Sequence, residues 1–382
     1  MRALPMKRQP RLMIPGPIDL TDEVLEALRQ PVIRHYGDEW VQLYKPLRAN
    51  LLAIAESKGD AFVLVGTGTV GIDAAIGTSV ATGEQLIVVD NGYFSGRMRE
   101  VADGYGIHTH VLRTQRGEPV TPDQLSAALR QHPAAVAVAL SHSETATGVL
   151  NDVEALAAVA ADAGKFFIVD AVSSFGAARI AVDAWGIGIC CAASQKALEG
   201  PPGVAPVIVP ERSWTFLDAK GALHHGMYSD LRVWRKYAHE WATWHPQPAT
   251  MAVNIAQALK TSTDGLLAEG LSPRYARYRQ IGQRVRDRLR ALGYRPLADD
   301  TWASPTVTAA YPADGVTADE VVAAVLERVN IQIGGGVGDL RGNTFRLGHM
   351  GLSTTDAYLD DVFGVLEELP RRASVSVRRS AP

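Results

Sequence analysis

The chain has 382 residues, 47% of them hydrophobic, with 38 Lys and Arg against 41 Asp and Glu for a formal net charge of −3. That length can bury a sizeable core in more than one unit, and so even a charge balance gives no electrostatic case for nucleic acid or an anionic membrane. Small metabolites are the expected partners; the start "MRALPMKRQPRL" has no apolar signal region and no stretch is long enough to span a bilayer, which predicts a cytoplasmic protein.

In chain order, the short apolar runs "AFVLV" (61–65), "LIVVD" (86–90), "AAVAVALS" (134–141), "FFIVD" (166–170), "IGICCA" (187–192) and "VAPVIV" (204–209) read as buried strands. Helical patterns lie between several of them, such as "DVEALAAVAADAG" (152–164), with aspartate at its start and Gly164 just past its end. The alternation predicts an α/β protein with a mostly parallel sheet of seven-stranded type and helices on both faces. Cys190 and Cys191 are the two cysteines; adjacent in an apolar run, they read as small buried side chains rather than a disulfide framework. From about residue 250 the texture changes. An Arg-rich helical region (about 252–292) leads into "TVTAAY", the helical "ADEVVAAVLERV", "IQIGGGVG" and a last helix near 355–369, which read as a smaller C-terminal α/β unit. The expected division is 1–20 as an N-terminal segment reaching the active site, 21–255 as the large domain, 256–370 as the small one, and 371–382 as a disordered tail.

"GTGTVG" (66–71) follows a strand, opens a helix and is followed at the end of "LIVVD" by Asp90, the context of a dinucleotide fingerprint. Its physics is broader than its pattern, because backbone N–H groups at a helix N-terminus hold any phosphate. Two strand ends discriminate. Asp170 closes "FFIVD" and Lys196 follows "IGICCA", so in a parallel sheet both sit at the C-terminal edge, beside the phosphate loop. A lysine, a carboxylate and a phosphate cradle are what pyridoxal phosphate requires. The amine bonds the aldehyde and the acid keeps the ring nitrogen protonated; a hydride-transfer enzyme needs no such lysine.

Five segments in order, "IPGP" (14–17), "SHSETATG" (141–148), "VDAVSSFG" (169–176), "SQKALEGPPG" (194–203) and "FRLGHMG" (345–351), resemble the fold-type I, class V aminotransferases, nearest the alanine/serine–glyoxylate and 2-aminoethylphosphonate–pyruvate enzymes. The resemblance implies that Lys196 carries the Schiff base and Asp170 contacts the pyridinium nitrogen. Gly68, Thr69 and Val70 then bind the phosphate with Gln195, Thr145 bonds the ring oxygen, and Phe94 stacks on the ring unless it is an ordinary core residue. Arg346, flanked by apolar residues and glycine, suits a substrate α-carboxylate, and the backbone of Gly16 approaches the same group.

Two departures accompany the resemblance. Ala146 stands where relatives carry a hydroxyl residue, and Gln247 lies where an aromatic is expected to reach the neighbouring subunit's cofactor, with Thr250 retained; a homodimer with composite sites is implied. His224 and His225 read as a loop with no metal partner at suitable spacing, so no metal site is expected. His142 and His349 flank the pocket motifs and either orient substrate or make structural bonds, and "HYGDEW" (35–40) is placed at the substrate entrance. The sequence thus predicts a pyridoxal-phosphate transaminase that passes an amino group from an alanine- or serine-type donor to glyoxylate or pyruvate. Aminoethylphosphonate–pyruvate or pyridoxamine–pyruvate chemistry, or a lyase or epimerase on this scaffold, is the alternative, with an NAD-dependent oxidoreductase more distant.

Overall fold

The structure is a computed structural model that describes residues 9–221 and 226–379, so His224 and His225 lie outside the described residues. Its larger sheet has seven strands in the order Asp60–Val65, Val204–Val209, Ile189–Cys191, Phe166–Asp170, Ala135–Ser141, Gln85–Asp90 and His108–Arg113. The last five run parallel. Their central members are apolar along their whole length because helices cover both faces, and every residue of Phe166–Asp170 and Val204–Val209 is buried. The edge strand His108–Arg113, "HTHVLR", was not foreseen: it is exposed or half-exposed along its length and lacks the apolar run that marks its neighbours.

Topology decides where the sheet delivers its side chains. Ser141, Asp170 and Cys191 are paired in register, so these three strands end together. Val204–Val209 is antiparallel to both Ile189–Cys191 and Asp60–Val65. Two reversals restore the direction, so the loop after Val65 emerges at the same edge as Asp170 and the turn that carries Lys196. Ligands bind at this edge in open α/β sheets.

Local signals account for several helices. Val153–Asp162 starts where the Asp152 carboxylate accepts the Ala155 N–H at 3.1 Å and ends before Gly164, whose φ of +67° a side chain would oppose. The Arg-rich region is two helices, Val253–Glu269 and Leu271–Ala291, broken at Gly270. The last helix runs from Asp356 to Arg379, past the point at which a disordered tail was expected. No helix among the described residues is long and apolar enough to cross a membrane.

A second sheet has the order Arg11–Met13, Ile331–Gly335, Phe345–Gly348, Val307–Tyr311 and Arg295–Pro296. Its core gathers Met13, Val285, Phe345, Leu347, Leu359 and Phe363, separate from the cluster around the larger sheet. The N-terminal strand, parallel to Ile331–Ile333, went unrecognised in the sequence because three residues give no readable period. It anchors the chain just before Pro15 and Gly16. A Cβ on Gly348 would collide with the backbone oxygen of Ile14 and come within 2.7 Å of the Pro15 nitrogen. Gly348→Ala should therefore lower stability by about 1–3 kcal/mol through overpacking, read as a fall in the urea midpoint; an unchanged midpoint would show that the N-terminal segment is not seated against this strand.

Candidate active site

Lys196 lies in a turn closed by Glu199 N–H donating to the Lys196 carbonyl at 2.8 Å and Gly200 N–H to Ser194 at 2.9 Å. Its side chain is buried, and Nζ donates to the carbonyl of Pro15. Gly16 is required here: its φ is +92°, and a Cβ would lie 2.5 Å from Lys196 Cδ. Its amide donates to Ile14 O at 2.7 Å, so that N–H is engaged inside the turn. Gly16 lets the N-terminal segment lie against the lysine.

Asp170 is buried at its strand end and accepts from Val172 N at 2.8 Å and from Ser141 Oγ at 3.1 Å. Burial pushes its carboxyl up to about 6; the two hydrogen bonds oppose that rise, nearby Glu144 adds to it, and Lys196 opposes it. Burial is also the main reason the Lys196 amine is pushed down to about 8, with Arg346 adding repulsion and Asp170 and Glu144 pulling it back. The lysine therefore loses its proton far more readily than an exposed one, which suits a nucleophile and base.

The phosphate loop closes the triangle. Helix Gly68–Ser79 begins at Thr67, whose side chain makes no capping bond, and while the Val70 N–H donates to Thr67 O at 2.9 Å, the N–H groups of Gly68 and Thr69 at the helix start suit an anionic ligand. A Cβ on Gly68 would lie 2.5 Å from Val172 Cγ2 and 3.3 Å from Ala193 Cβ, which places the loop between a residue two past Asp170 and one three before Lys196. Beside the lysine, Gln195 buries Oε1 with no partner among the described residues. Asp90, the acid of the dinucleotide fingerprint, is committed to Arg116 at 2.9 Å and Arg113 at 3.4 Å. The fingerprint thus lacks a free carboxylate for a ribose.

Arg346 reaches this edge from the second sheet. Nε donates to Gly335 O at 2.9 Å and Nη1 to Thr145 O at 3.4 Å, and the side chain is buried without a carboxylate partner among the described residues. A buried, unpaired guanidinium is costly, and an anionic ligand removes that cost. Thr145 Oγ1 lies 2.5 Å from Ser173 Oγ, a hydroxyl pair free to pass a hydrogen bond to a ring oxygen. Phe94 is half-buried rather than a core phenylalanine. Glu144, quoted in its motif but given no role from the sequence, accepts from Phe94 N at 3.4 Å, Ser95 N at 2.7 Å and Ala146 N at 2.8 Å. It ties the Phe94 turn to Thr145, and a carboxylate inside an otherwise small and polar buried run was the available signal. Ala146 is itself buried, and its N–H donates to Glu144 Oε1 at 2.8 Å.

Other candidates fall outside this group. His142 Nδ1 lies 3.0 Å from Ser174 Oγ, and the residue lines a separate cavity of about 870 Å³ walled by Trp185, Arg286 and Trp302. Burial pushes His142 down to about 4 and His349 to about 3, and His349 Nε2 lies 3.0 Å from Thr308 Oγ1, so both imidazoles are neutral near pH 7. Within "HYGDEW", Trp40 is core, while His35 and Tyr36 pack at 5.3 and 5.6 Å against His245 and Trp244. Gln247 is buried: its Oε1 accepts from Trp40 Nε1 at 2.9 Å and its Nε2 donates to His35 O at 2.5 Å. It replaces the expected outward aromatic with an internal clamp, whereas Thr250 is exposed. Among the described residues no group of three or more His, Cys, Asp or Glu is placed to hold a metal ion.

The buried amine, the protonatable acid and the uncapped helix N-terminus fit pyridoxal 5′-phosphate. In cofactor-free protein, the pH profile of Lys196 modification by an amine-directed reagent, followed by peptide mass spectrometry, should have its midpoint near 8. A midpoint at the ordinary lysine value near 10.4 would contradict the buried setting. Gln247→Leu should cost about 1–3 kcal/mol by orphaning the Trp40 indole, seen as a lower urea midpoint; no change would show the clamp to be idle.

A family model described as aminotransferase class V matches residues 26–338. A relative named as the small subunit of a soluble hydrogenase, from Synechococcus sp., is 36% identical over 91% of this chain and 89% of its own. The L-aspartate–glyoxylate aminotransferase of Paracoccus denitrificans is 30% identical over 92% of this chain and 89% of its own. The solved structure of an alanine–glyoxylate aminotransferase from Nostoc sp. superimposes with a TM-score of 0.91 at 27% identity, covering 97% of each chain.

Proposed function

The chain belongs to the class V aminotransferase family, and from that premise we propose that it passes an amino group from a small alanine- or serine-type donor to a small 2-oxo acid, glyoxylate or pyruvate, using pyridoxal 5′-phosphate. The observation that carries this reading is the buried Lys196 amine beside the buried Asp170 carboxyl and the unpaired Arg346. When bound, the cofactor supplies an aldehyde for the donor's amino group and an electron-poor ring that acidifies the donor's Cα–H bond.

The residues divide the remaining work. The N–H groups of Gly68 and Thr69 at the helix start, with the loop shaped by Val70 and the side-chain amide of Gln195 as a further donor, would hold the phosphate. Asp170, anionic above about 6, accepts a hydrogen bond from the ring nitrogen and favours its protonated form. Thr145, paired with Ser173, would offer its hydroxyl to the ring oxygen, and Phe94 would supply an aromatic surface for the ring. Arg346 holds the α-carboxylate of donor and acceptor in turn, orienting Cα toward Nζ of Lys196. Lys196, depressed to about 8, takes a proton at Nζ and returns it on the other side of the exchange. Backbone contacts from the N-terminal segment shield that amine from water.

We further place the enzyme as a homodimer whose partner completes each site through the face bearing Thr250. Trp241 and Trp244, 42% and 51% exposed, lie on the same stretch and favour coverage by a second copy.

Loaded with pyridoxal 5′-phosphate, the protein should convert spectrally to the amino form of the cofactor when alanine, serine or aspartate is added, and revert with glyoxylate. Lys196→Ala should lose the visible band and turnover together; retention of both would overturn the assignment. Arg346→Gln should reduce kcat/KM on the order of 100-fold by removing a charge-assisted grip on the carboxylate, measured by coupled assay, and an unchanged kcat/KM would place the carboxylate elsewhere.

A further inference from the structure

Glu199, three residues past the catalytic-site lysine, has φ +58°. A non-glycine residue held in that region costs free energy and persists where its surroundings demand it. The demand comes from helix Leu271–Ala291. Arg274, with a side chain 3% exposed, donates through Nη2 to Glu199 Oε1 at 2.5 Å and to the carbonyl of Ala197 at 2.8 Å. Its Nε donates to Gly176 O at 2.7 Å, at the end of the loop that begins at Asp170, and its Nη1 donates to Glu269 at 2.8 Å. Tyr278, one turn on and fully buried, donates to the same Glu199 oxygen at 2.7 Å and accepts the Gly351 N–H at 3.1 Å.

The ion cluster sits beside an apolar one. Ile18, Ala177, Ala197, Tyr278 and Met350 pack together, drawing in the N-terminal segment, the Asp170 loop, the Lys196 turn and the strand end that follows Arg346. A Cβ on Gly351 would lie 2.7 Å from Ile18 and 3.5 Å from Glu199 Cγ, so that turn also leaves no slack. The carbonyl of Lys196 accepts from the Glu199 N–H at 2.8 Å, and the next carbonyl accepts from Arg274. The two peptides that follow the lysine are thereby fixed, the first by the backbone of Glu199 and the second by the guanidinium that grips the Glu199 carboxylate.

We propose that Glu199 is a positioning residue: gripped by Arg274 and Tyr278, it fixes the Lys196 turn to helix Leu271–Ala291 and, through the Tyr278 bond to Gly351, to the end of the strand that carries Arg346, so that the amine and the carboxylate-binding guanidinium are set by one shared cluster. The proposal deepens the assignment of Lys196 as the cofactor lysine and rests on it. Removing the Glu199 carboxylate frees the turn, admits water to Nζ and relaxes the lysine toward its ordinary acidity.

Glu199→Ala keeps the same backbone cost but deletes the cluster's centre, while Glu199→Gln keeps the acceptor oxygen. Both are compared with the wild-type full chain by the pH profile of Lys196 modification without cofactor and by titration with pyridoxal 5′-phosphate. The Ala variant should raise the modification midpoint by half a unit or more and weaken cofactor binding tenfold or more, with Gln restoring most of both. An Ala variant with wild-type midpoint and affinity overturns the proposal, whatever its melting temperature. If Glu199→Ala does not fold, Arg274→Lys, which keeps the charge but loses the forked grip, makes the same comparison with the same criteria. Persistence of the visible band in Lys196→Ala would instead defeat the site assignment itself, so the two failures are distinguishable.

Discussion

The structure depends on keeping an ammonium group where an ammonium group is expensive. Water would solvate the Lys196 amine by several kcal/mol more than a protein interior does, and among the described residues no carboxylate is bonded to it; its hydrogen bond goes to the backbone carbonyl of Pro15. The chain bears that cost by lowering the amine's proton affinity, with burial as the first cause and Arg346 as the second. Asp170 is displaced the opposite way, again chiefly by burial. Two groups of opposite charge type, both moved toward neutrality by the same dry setting, form a site poised to exchange protons near neutral pH.

That setting is assembled from segments far apart in sequence. The larger sheet supplies Asp170, the Lys196 turn and the phosphate loop at one edge, because two antiparallel pairings return the outermost strand to the common direction. The second sheet supplies Arg346 and, through its N-terminal strand, the Pro15–Gly16 turn that covers the amine. Neither sheet alone encloses the lysine. Placing the lid on the small sheet means that the stability of that unit and the acidity of Lys196 are properties of one packing arrangement.

What was legible in the sequence follows from where burial is two-sided. Strands such as "FFIVD" and "VAPVIV" are apolar throughout because both their faces are covered, and their ends located Asp170 and Lys196 without further help. The edge strand "HTHVLR" and the three-residue strand Arg11–Met13 were illegible, one being half-exposed and the other too short to show a period. At the site, the lysine, the acid, the phosphate loop and Arg346 came from motif chemistry, and the structure brings them together. Glu144 and Arg274 were not read as site-forming residues: their roles lie in bonds to backbone groups of other segments, which no local pattern encodes. Gly16 was legible as part of the site's turn, but the close approach of its backbone to the Lys196 side chain, which only an absent side chain permits, has no local pattern. Gln247 looked like a defect in a pattern and is a buried clamp.

The most direct test of the account is to load the protein with pyridoxal 5′-phosphate, reduce it with borohydride, digest it and locate the pyridoxyl label by mass spectrometry. The account predicts one label per chain, on the peptide spanning 194–203 at Lys196. A label confined to another lysine, or no stable label in protein that binds the cofactor, would contradict it.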